Sequence, residues 1–475
     1  MSQHCSKKPI ISIVGTTGVG KSQFSIDLAE RINGEIINAD SMQVYKGAEI
    51  ITNKHPLQER KGVPHHLMGH VGWDEEYFIH RFNNEANCAI ADIHSRGKIP
   101  IIVGGTHYYL QCLLFENKTM EQPKEREVTE DELRILDGPT DALFHTLSQV
   151  DSVIASKFHP QDHRKLRRAL EIYYTTGRKP SSIYQQQKLD ELESSSLKHR
   201  TIVFWLYSEM SELHKRLDSR VDVMMQTGAV DEIRELNDSF VSSGSDCTSG
   251  IYQVIGFKEF LPWLEARAKN PDEPPAEEEE TSRALFEHGV ERMKIRTRQY
   301  AKYQVKWIQK TLSLELAKES KFNYINGGRL CVLDATDLSQ WNHNVRDRGI
   351  ETCESFLHRH HLHQHKDDDA NSLDLVPADL AHLLSNETKH AKSNKNLNAA
   401  DNWKHFSCET CKDKNGSPFI VVGEEIWNQH LNSRRHRRTL AAKTRKRVNE
   451  ANILKSKSDK ENALSNDLDP DLGSR

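Results

Sequence analysis

An apolar run, Ile10-Ile11 and Ile13-Val14, breaks directly into Gly15-Thr16-Thr17-Gly18-Val19-Gly20-Lys21-Ser22, after which apolar residues recur at helical spacing at Phe24, Leu28 and Ile32. This stretch restricts the fold strongly. A strand must stop, the backbone must turn through glycines, and a helix must begin at once. The glycines let successive backbone N–H groups converge on phosphate oxygens, and the helix N-terminus adds positive potential. Lys21 supplies a full charge, and the Ser22 hydroxyl suits Mg2+. The motif predicts a site for a di- or triphosphate without saying whether that phosphate belongs to a nucleotide.

A chain of 475 residues has room for about three domains and a sizeable core. Its net charge of −4 means that any nucleic-acid surface must come from local basic patches. No apolar stretch reaches membrane-spanning length, and Met1–Pro9 runs straight into the first strand, so no membrane span, signal peptide or transit helix is expected. Six of the eight cysteines (Cys5, Cys88, Cys112, Cys247, Cys331, Cys353) are scattered, as in a reducing compartment.

Short β-branched runs at Ile10–Val14, Glu35–Asn38, Ile99–Val103, Thr201–Tyr207 and Leu330–Leu333 alternate with helical patterns, which argues a parallel α/β sheet. The expected fold is a phosphate-loop NTPase-like α/β core over 8–114 and 199–345. A helical insertion occupies 115–198, a polar and partly disordered linker 346–402, a zinc finger 403–448 and a disordered tail 449–475. Within this plan Ala266–Ser282 is an acidic loop, and His358–His365 with Asp367–Asp369 is a solvated tract.

The second strand ends in Asn38-Ala39-Asp40-Ser41-Met42-Gln43-Val44-Tyr45, and strand ends of such a sheet face the ligand. Asp40 there serves as a magnesium ligand, as a general base, or as a helix N-cap, and spacing alone does not choose. The third strand ends in Gly104-Gly105-Thr106-His107-Tyr108 rather than in the acid of an NTP-hydrolysing enzyme; the glycines open a close approach and Thr106 adds a polar handle. Arg164–Tyr173 is an amphipathic helix whose Arg/Lys side reads as free. Arg292–Trp307 is a second basic helix, with Arg298, Lys302 and Lys306 at i, i+4, i+8 and no acid within it to pair them. Two such helices beside a phosphate site indicate a polyanion surface. Finally, Cys408, Cys411, His430 and His436 have the spacing C-x2-C-x18-H-x5-H, a closed structural zinc site, followed by basic residues from Arg434 to Arg447.

Taken in order, Gly15–Ser22, Asp40–Tyr45, Thr52-Asn53-Lys54, Pro64-His65-His66, Gly104–Tyr108, Arg167–Ile172, Gly256-Phe257-Lys258-Glu259 and Arg296–Tyr300 resemble the tRNA dimethylallyltransferases, or tRNA isopentenyltransferases, with a finger that marks the eukaryotic, fungal-looking branch. The resemblance implies transfer of a dimethylallyl group from its diphosphate to the exocyclic amine of the adenosine 3′ of a tRNA anticodon. It implies catalytic roles for Asp40 as base and for Thr17 and Lys21, and diphosphate binding by Gly15, Thr16, Thr17, Gly18, Val19, Gly20, Lys21, Ser22, Arg296 and Arg298. Contacts to tRNA fall on Asp40, Ser41, Gln43, Thr106, Arg167, Arg168, Gln187 and Lys302, with Arg167 where relatives often carry Gln. Mg2+ near Ser22 would be catalytic and Zn2+ structural. The expected protein is a cytoplasmic monomer, mitochondrial and nuclear pools being left open. Competing readings are a phosphate-loop kinase acting on a small molecule and a non-catalytic RNA-binding zinc protein.

Overall fold

The computed structural model describes residues 7–116, 126–245, 247–269, 280–358, 375–384, 404–412, 416, 418–446 and 448–449. The chain forms two compact units, Met1–Thr119 with Glu191–Lys389, and Met120–Asp190 with His390–Arg475.

The first unit is built on a six-stranded sheet of β1 (Pro9–Gly15), β2 (Gly34–Asn38), β3 (His65–His66), β4 (Ile99–Val103), β5 (Arg200–Tyr207) and β6 (Gly327–Asp334). All pairings are parallel, in the order β3-β2-β4-β1-β5-β6. Five of these strands are the apolar runs of the sequence; β3, only two residues long, carries no such signal. The sheet is buried on both faces, which is why its strands read as continuous apolar runs. Ile10 and Val14 point into one core cluster, and Ile11 and Ile13 into the other. Helix α1 (Lys21–Ile32) seats Phe24 and Leu28 on the second face. Helices α2 (Ile79–Ser95) and α3 (His107–Leu114) supply Phe82, Ile90 and Leu110 to the first.

Two expectations about this unit change. Ala266–Ser282 is not simply a loop, since α11 (Leu261–Lys269) and α12 (Glu280–Trp307) enter it from both sides. The segment read as a polar linker also holds core structure. Helix α14 (Arg348–His358) buries Gly349 so close to Phe24 that a Cβ would lie 2.4 Å from its ring. Leu380 and Leu383 are buried in the first-face cluster, while the Leu375 carbonyl accepts the Val332 N–H at 2.8 Å. Sparse apolar residues at these positions suffice because each meets a preformed apolar surface. The stretches 270–279, His360–His365, Asp367–Asp369, Arg447 and the tail from 451 lie outside the described residues.

In the second unit, α4 (Glu130–Leu136), α5 (Thr140–Val150), α6 (Ser152–Lys157), α7 (His163–Thr176) and α8 (Pro180–Glu193) follow one another. Leu136, Leu143, Leu147, Ile154, Leu166 and Leu170 form their common core. Most of the basic side of α7 is paired rather than free: Arg167 meets Asp137 at 3.0 Å, Arg168 meets Glu171 at 2.9 Å and Lys165 meets Asp162 at 2.9 Å, while Arg164 is exposed without an ion pair among the described residues. The hairpin of β7 (His405–Lys412) and β8 (Pro418–Val422) joins this unit. His159 Nε2 lies 3.0 Å from the Ile420 carbonyl and His405 Nε2 lies 3.0 Å from the Ser156 carbonyl.

The exits of β2 and β4 pass each other at backbone contact distance. A Cβ on Gly104 would lie 2.2 Å from the Ala39 carbonyl oxygen. Gly104→Ala is expected to cost about 3 kcal/mol through backbone displacement, read as a lowered thermal midpoint.

Candidate active site and metal centre

The phosphate loop turns through left-handed backbone at Gly18 (φ 77°) and Gly20 (φ 94°). Gly20 caps α1 with no side-chain oxygen, which leaves the first helical N–H groups directed outward. Lys21 Nζ folds back onto the Thr16 carbonyl at 2.7 Å. Burial lowers its pKa to about 8, with Arg220 adding to the shift and Asp40 opposing it. The buried Thr16 hydroxyl has no hydrogen-bond partner among the described residues, and the Ser22 hydroxyl also makes none there.

Asp40 begins a turn and not a helix, which removes the N-cap alternative. Its Oδ1 accepts the Met42 N–H at 3.0 Å, and its own N–H donates to Asn38 Oδ1 at 3.0 Å. Burial raises its carboxyl above the usual range, against the pull of the Met42 amide and of Lys21. Thr106 Oγ1 accepts the Ser41 N–H at 2.9 Å, which ties the β4 exit to the residue after Asp40. Gln43 Nε2 donates to the carbonyls of Thr52 and Asn53, each at 3.1 Å, and Glu232, on α10 (Ala229–Ser243), accepts the Ile50 and Ile51 N–H groups.

These elements enclose a cavity of about 310 Å³. Thr17, Asp40, Ser41 and Asn53 form polar wall, while Met42, Ile51, Leu217, Val221, Met224 and Met293 form apolar wall. Arg220, on α9 (Met210–Gln226), reaches it too, with Nη1 donating to Thr17 Oγ1 at 3.3 Å and its pKa pushed down to about 10 by burial. A polyanion site beside a small apolar space suits a short hydrocarbon diphosphate better than a polar nucleoside.

Of the sequence-derived residues, Gly15–Ser22, Asp40, Ser41, Gln43 and Thr106 come together here. Arg298 turns to Asp218 and Arg296 to Glu259 at 3.7 Å, so carboxylates of other segments pair a helix that has no acid of its own nearby. Neither arginine lines the cavity. Lys302 is exposed on α12 with no ion pair among the described residues. Arg167, Arg168 and half-buried Gln187 lie in the second unit. Pro64-His65-His66 goes to the sheet edge, where His66 meets the buried Glu35 at 2.8 Å. Arg220 and Gln304 carry no motif signal, since each is one polar residue in a helix far along the chain from the loop, and Tyr300 closes the Arg296–Tyr300 segment without having been given a role.

In the second unit, Cys408, Cys411, His430 and His436 bring their donor atoms within 4.8 Å of one another. His436 Nδ1 lies 3.5 Å from Cys408 Sγ, 3.6 Å from Cys411 Sγ and 3.2 Å from His430 Nε2. A tetrahedral ion with Zn-like bond lengths needs ligand separations of roughly 3.3–3.8 Å, so the donors fit a metal ion. The Cys411 N–H donates to Cys408 Sγ at 3.3 Å, which orients the sulfur. Helix α15 (Glu424–Leu431) carries His430, and a helix over 434–446 carries His436. Among the described residues, Arg434, Arg438 and Arg445 on that helix have no partner.

Residues 43–311 match the IPP transferase family. The chain belongs to this family. It is 45% identical over 442 residues to the tRNA dimethylallyltransferase of Saccharomyces cerevisiae, across 92% of this chain and 93% of that relative. With the tRNA dimethylallyltransferase of Homo sapiens the identity is 31% over 463 residues, across 95% and 90%. A solved eukaryotic dimethylallyltransferase acting on tRNA superposes with a TM-score of 0.75 at 44% identity, covering 94% of this chain and 99% of that one.

The site sets two expectations. Bound diphosphate restores the charged form of Lys21, so affinity for inorganic diphosphate should fall with pH above about 8, by up to tenfold per unit. Calorimetry in two buffers of different ionisation enthalpy should then show proton uptake in that range. Metal removal by a chelator should unfold the region from 405 to 446, since so small a hairpin and helix pair has little other core. Hydrogen exchange should report that loss while β1 and β5 stay protected.

Proposed function

We infer that this chain transfers a dimethylallyl group from dimethylallyl diphosphate to the exocyclic amine of the adenosine 3′ of the anticodon in tRNA. The observation that supports this most directly is one cavity where Thr17 of the phosphate loop, an apolar wall and the half-buried Asp40, its carboxyl pKa raised, meet. The allylic carbon–oxygen bond breaks, diphosphate departs with the bonding pair, and the amine nitrogen bonds the allylic carbon. The proton shed by that nitrogen passes to Asp40. Neutralising the leaving charge with Lys21, Arg220 and the loop amides lowers the barrier where charge develops. Burial makes Asp40 a better base than an exposed aspartate, and the Met42 amide fixes its orientation.

The residues fit two ions. The unpartnered Ser22 hydroxyl at the first turn of α1 would hold Mg2+, which adds charge neutralisation on the diphosphate when bound. The four-donor cluster takes zinc in a structural role. For the tRNA we assign Ser41, Gln43 and Thr106 to the region of the accepting adenosine and Lys302 to the backbone. In the second unit by itself we assign to tRNA Arg167, Arg168 and Gln187, together with Arg434, Arg438 and Arg445, which have no partner among the described residues. Arg296 and Arg298 would have to leave Glu259 and Asp218 to approach diphosphate. No helix among the described residues is long and apolar enough to cross a membrane. The cytoplasm, where free thiols persist, is the proposed compartment.

Incubation with labelled dimethylallyl diphosphate, Mg2+ and unmodified tRNA should yield prenylated adenosine on digestion to nucleosides, and ATP should not replace the donor. Asp40→Asn is expected to lower kcat by about 10²- to 10⁴-fold with tRNA affinity kept, as for loss of a positioned base. Label-free nucleosides with the wild-type chain would rule the reading out.

A further inference from the structure

One buried side chain joins the leaving-group side of the cavity to its acceptor side. Gln304, on α12, is 2% exposed. Its Oε1 accepts the Thr17 N–H at 2.9 Å, across 287 residues of sequence. Its Nε2 donates to the Gly105 carbonyl at 3.2 Å, and the same carbonyl accepts the Tyr300 hydroxyl at 3.3 Å. Thr106 follows Gly105 and holds the Ser41 N–H at 2.9 Å, and Ser41 follows Asp40. A primary amide offers an acceptor and a donor side by side, so a facing N–H and carbonyl fix which way it lies. Gly105 makes the contact sterically possible, because a Cβ there would lie 2.1 Å from Nε2.

We propose that Gln304 is a positioning residue that holds the phosphate loop and the Gly105–Thr106 turn in one register, so that diphosphate on the loop and the amine at Asp40 meet in reacting geometry. The proposal rests on the transfer reaction given above. Thr17 is where the two halves join. Its N–H is held by Gln304, and its hydroxyl accepts from Arg220 at 3.3 Å. A loop that is free to rock presents its phosphate donors in changing directions, and displacement at carbon is sensitive to misplacement on the ångström scale. Gln304 has no contact with the reacting atoms to make; it acts through Thr17 and Gly105.

Gln304→Glu separates this role from simple packing. The variant keeps size and the acceptor for Thr17, but an ionised carboxylate sets an oxygen against the Gly105 carbonyl. A protonated carboxyl donates to it again. The groups that titrate or carry charge around the position are Asp40 at the end of β2, Lys21 on α1, Arg220 on α9 and the Tyr300 hydroxyl on α12. They are common to both proteins, so the ratio of variant to wild-type activity isolates the new group. With the full chain near pH 8, KM for dimethylallyl diphosphate should rise about 10-fold or more with tRNA affinity kept, the scale of one buried hydrogen bond made repulsive. The activity ratio should recover as pH is lowered towards about 6.

Gln304→Met fills similar volume and makes neither bond. It is expected to weaken binding of inorganic diphosphate with Mg2+ about 10-fold by calorimetry, with no recovery at low pH. A Gln304→Glu activity ratio that stays flat across pH would overturn the proposal, and so would a Gln304→Met chain that binds diphosphate like wild type. Diphosphate binding is measured without tRNA. A wild-type chain that binds diphosphate but leaves tRNA unmodified would therefore count against the function above and leave this test standing.

Discussion

The contact between the exits of β2 and β4 governs the rest of the site. Gly104 lies against the Ala39 carbonyl with no room for a side chain, and Thr106 N–H donates back to that carbonyl at 3.2 Å. This draws Asp40-Ser41 and Thr106 together beside the phosphate loop leaving β1. Parallel pairing makes the arrangement possible, because all three strands end at the same edge of the sheet. Asn38 then fixes the turn after β2, with its side chain bonded to Asp40 N–H, Asp40 carbonyl and Leu67 carbonyl.

Around that contact the chain brings three half-buried charged groups within electrostatic reach of one another. Lys21 is pushed down to about 8, Arg220 down to about 10, and Asp40 upward, each chiefly by burial. Two cations near one carboxylate leave an excess of positive charge in a poorly solvated space, which is costly. A bound polyanion relieves it. In the reaction proposed above, the same low solvation would strengthen these cations toward a departing diphosphate and suit the carboxylate to act as a base.

Legibility in the sequence followed the range of the interaction. The phosphate loop and the five apolar strands are local patterns, readable because neighbours in sequence are neighbours in space, and the two cysteines and two histidines were readable from the spacing of their residue types. Charge pairing was not. Arg298 has no acid within reach in α12, yet Asp218 of α9 meets it, and Asp222 of α9 joins Glu291 on Lys294. Arg167 meets Asp137, thirty positions away. The polar stretch after residue 346 also misled, since Leu380 and Leu383 are two leucines whose burial depends on a surface made elsewhere.

By itself, the sequence determined that a parallel α/β sheet would carry a phosphate loop, that Asp40 and Thr106 would sit at strand ends, and that two cysteines and two histidines would gather their donor atoms. These follow from backbone periodicity, glycine conformation and ligand spacing, which are properties of short segments. Only the tertiary structure decided that Arg220 is the arginine at the loop, that Arg296 and Arg298 are held by carboxylates, and that Gln304 joins Thr17 to Gly105. Those choices depend on which helix faces crowd into one cavity, and that is settled by packing of segments hundreds of residues apart.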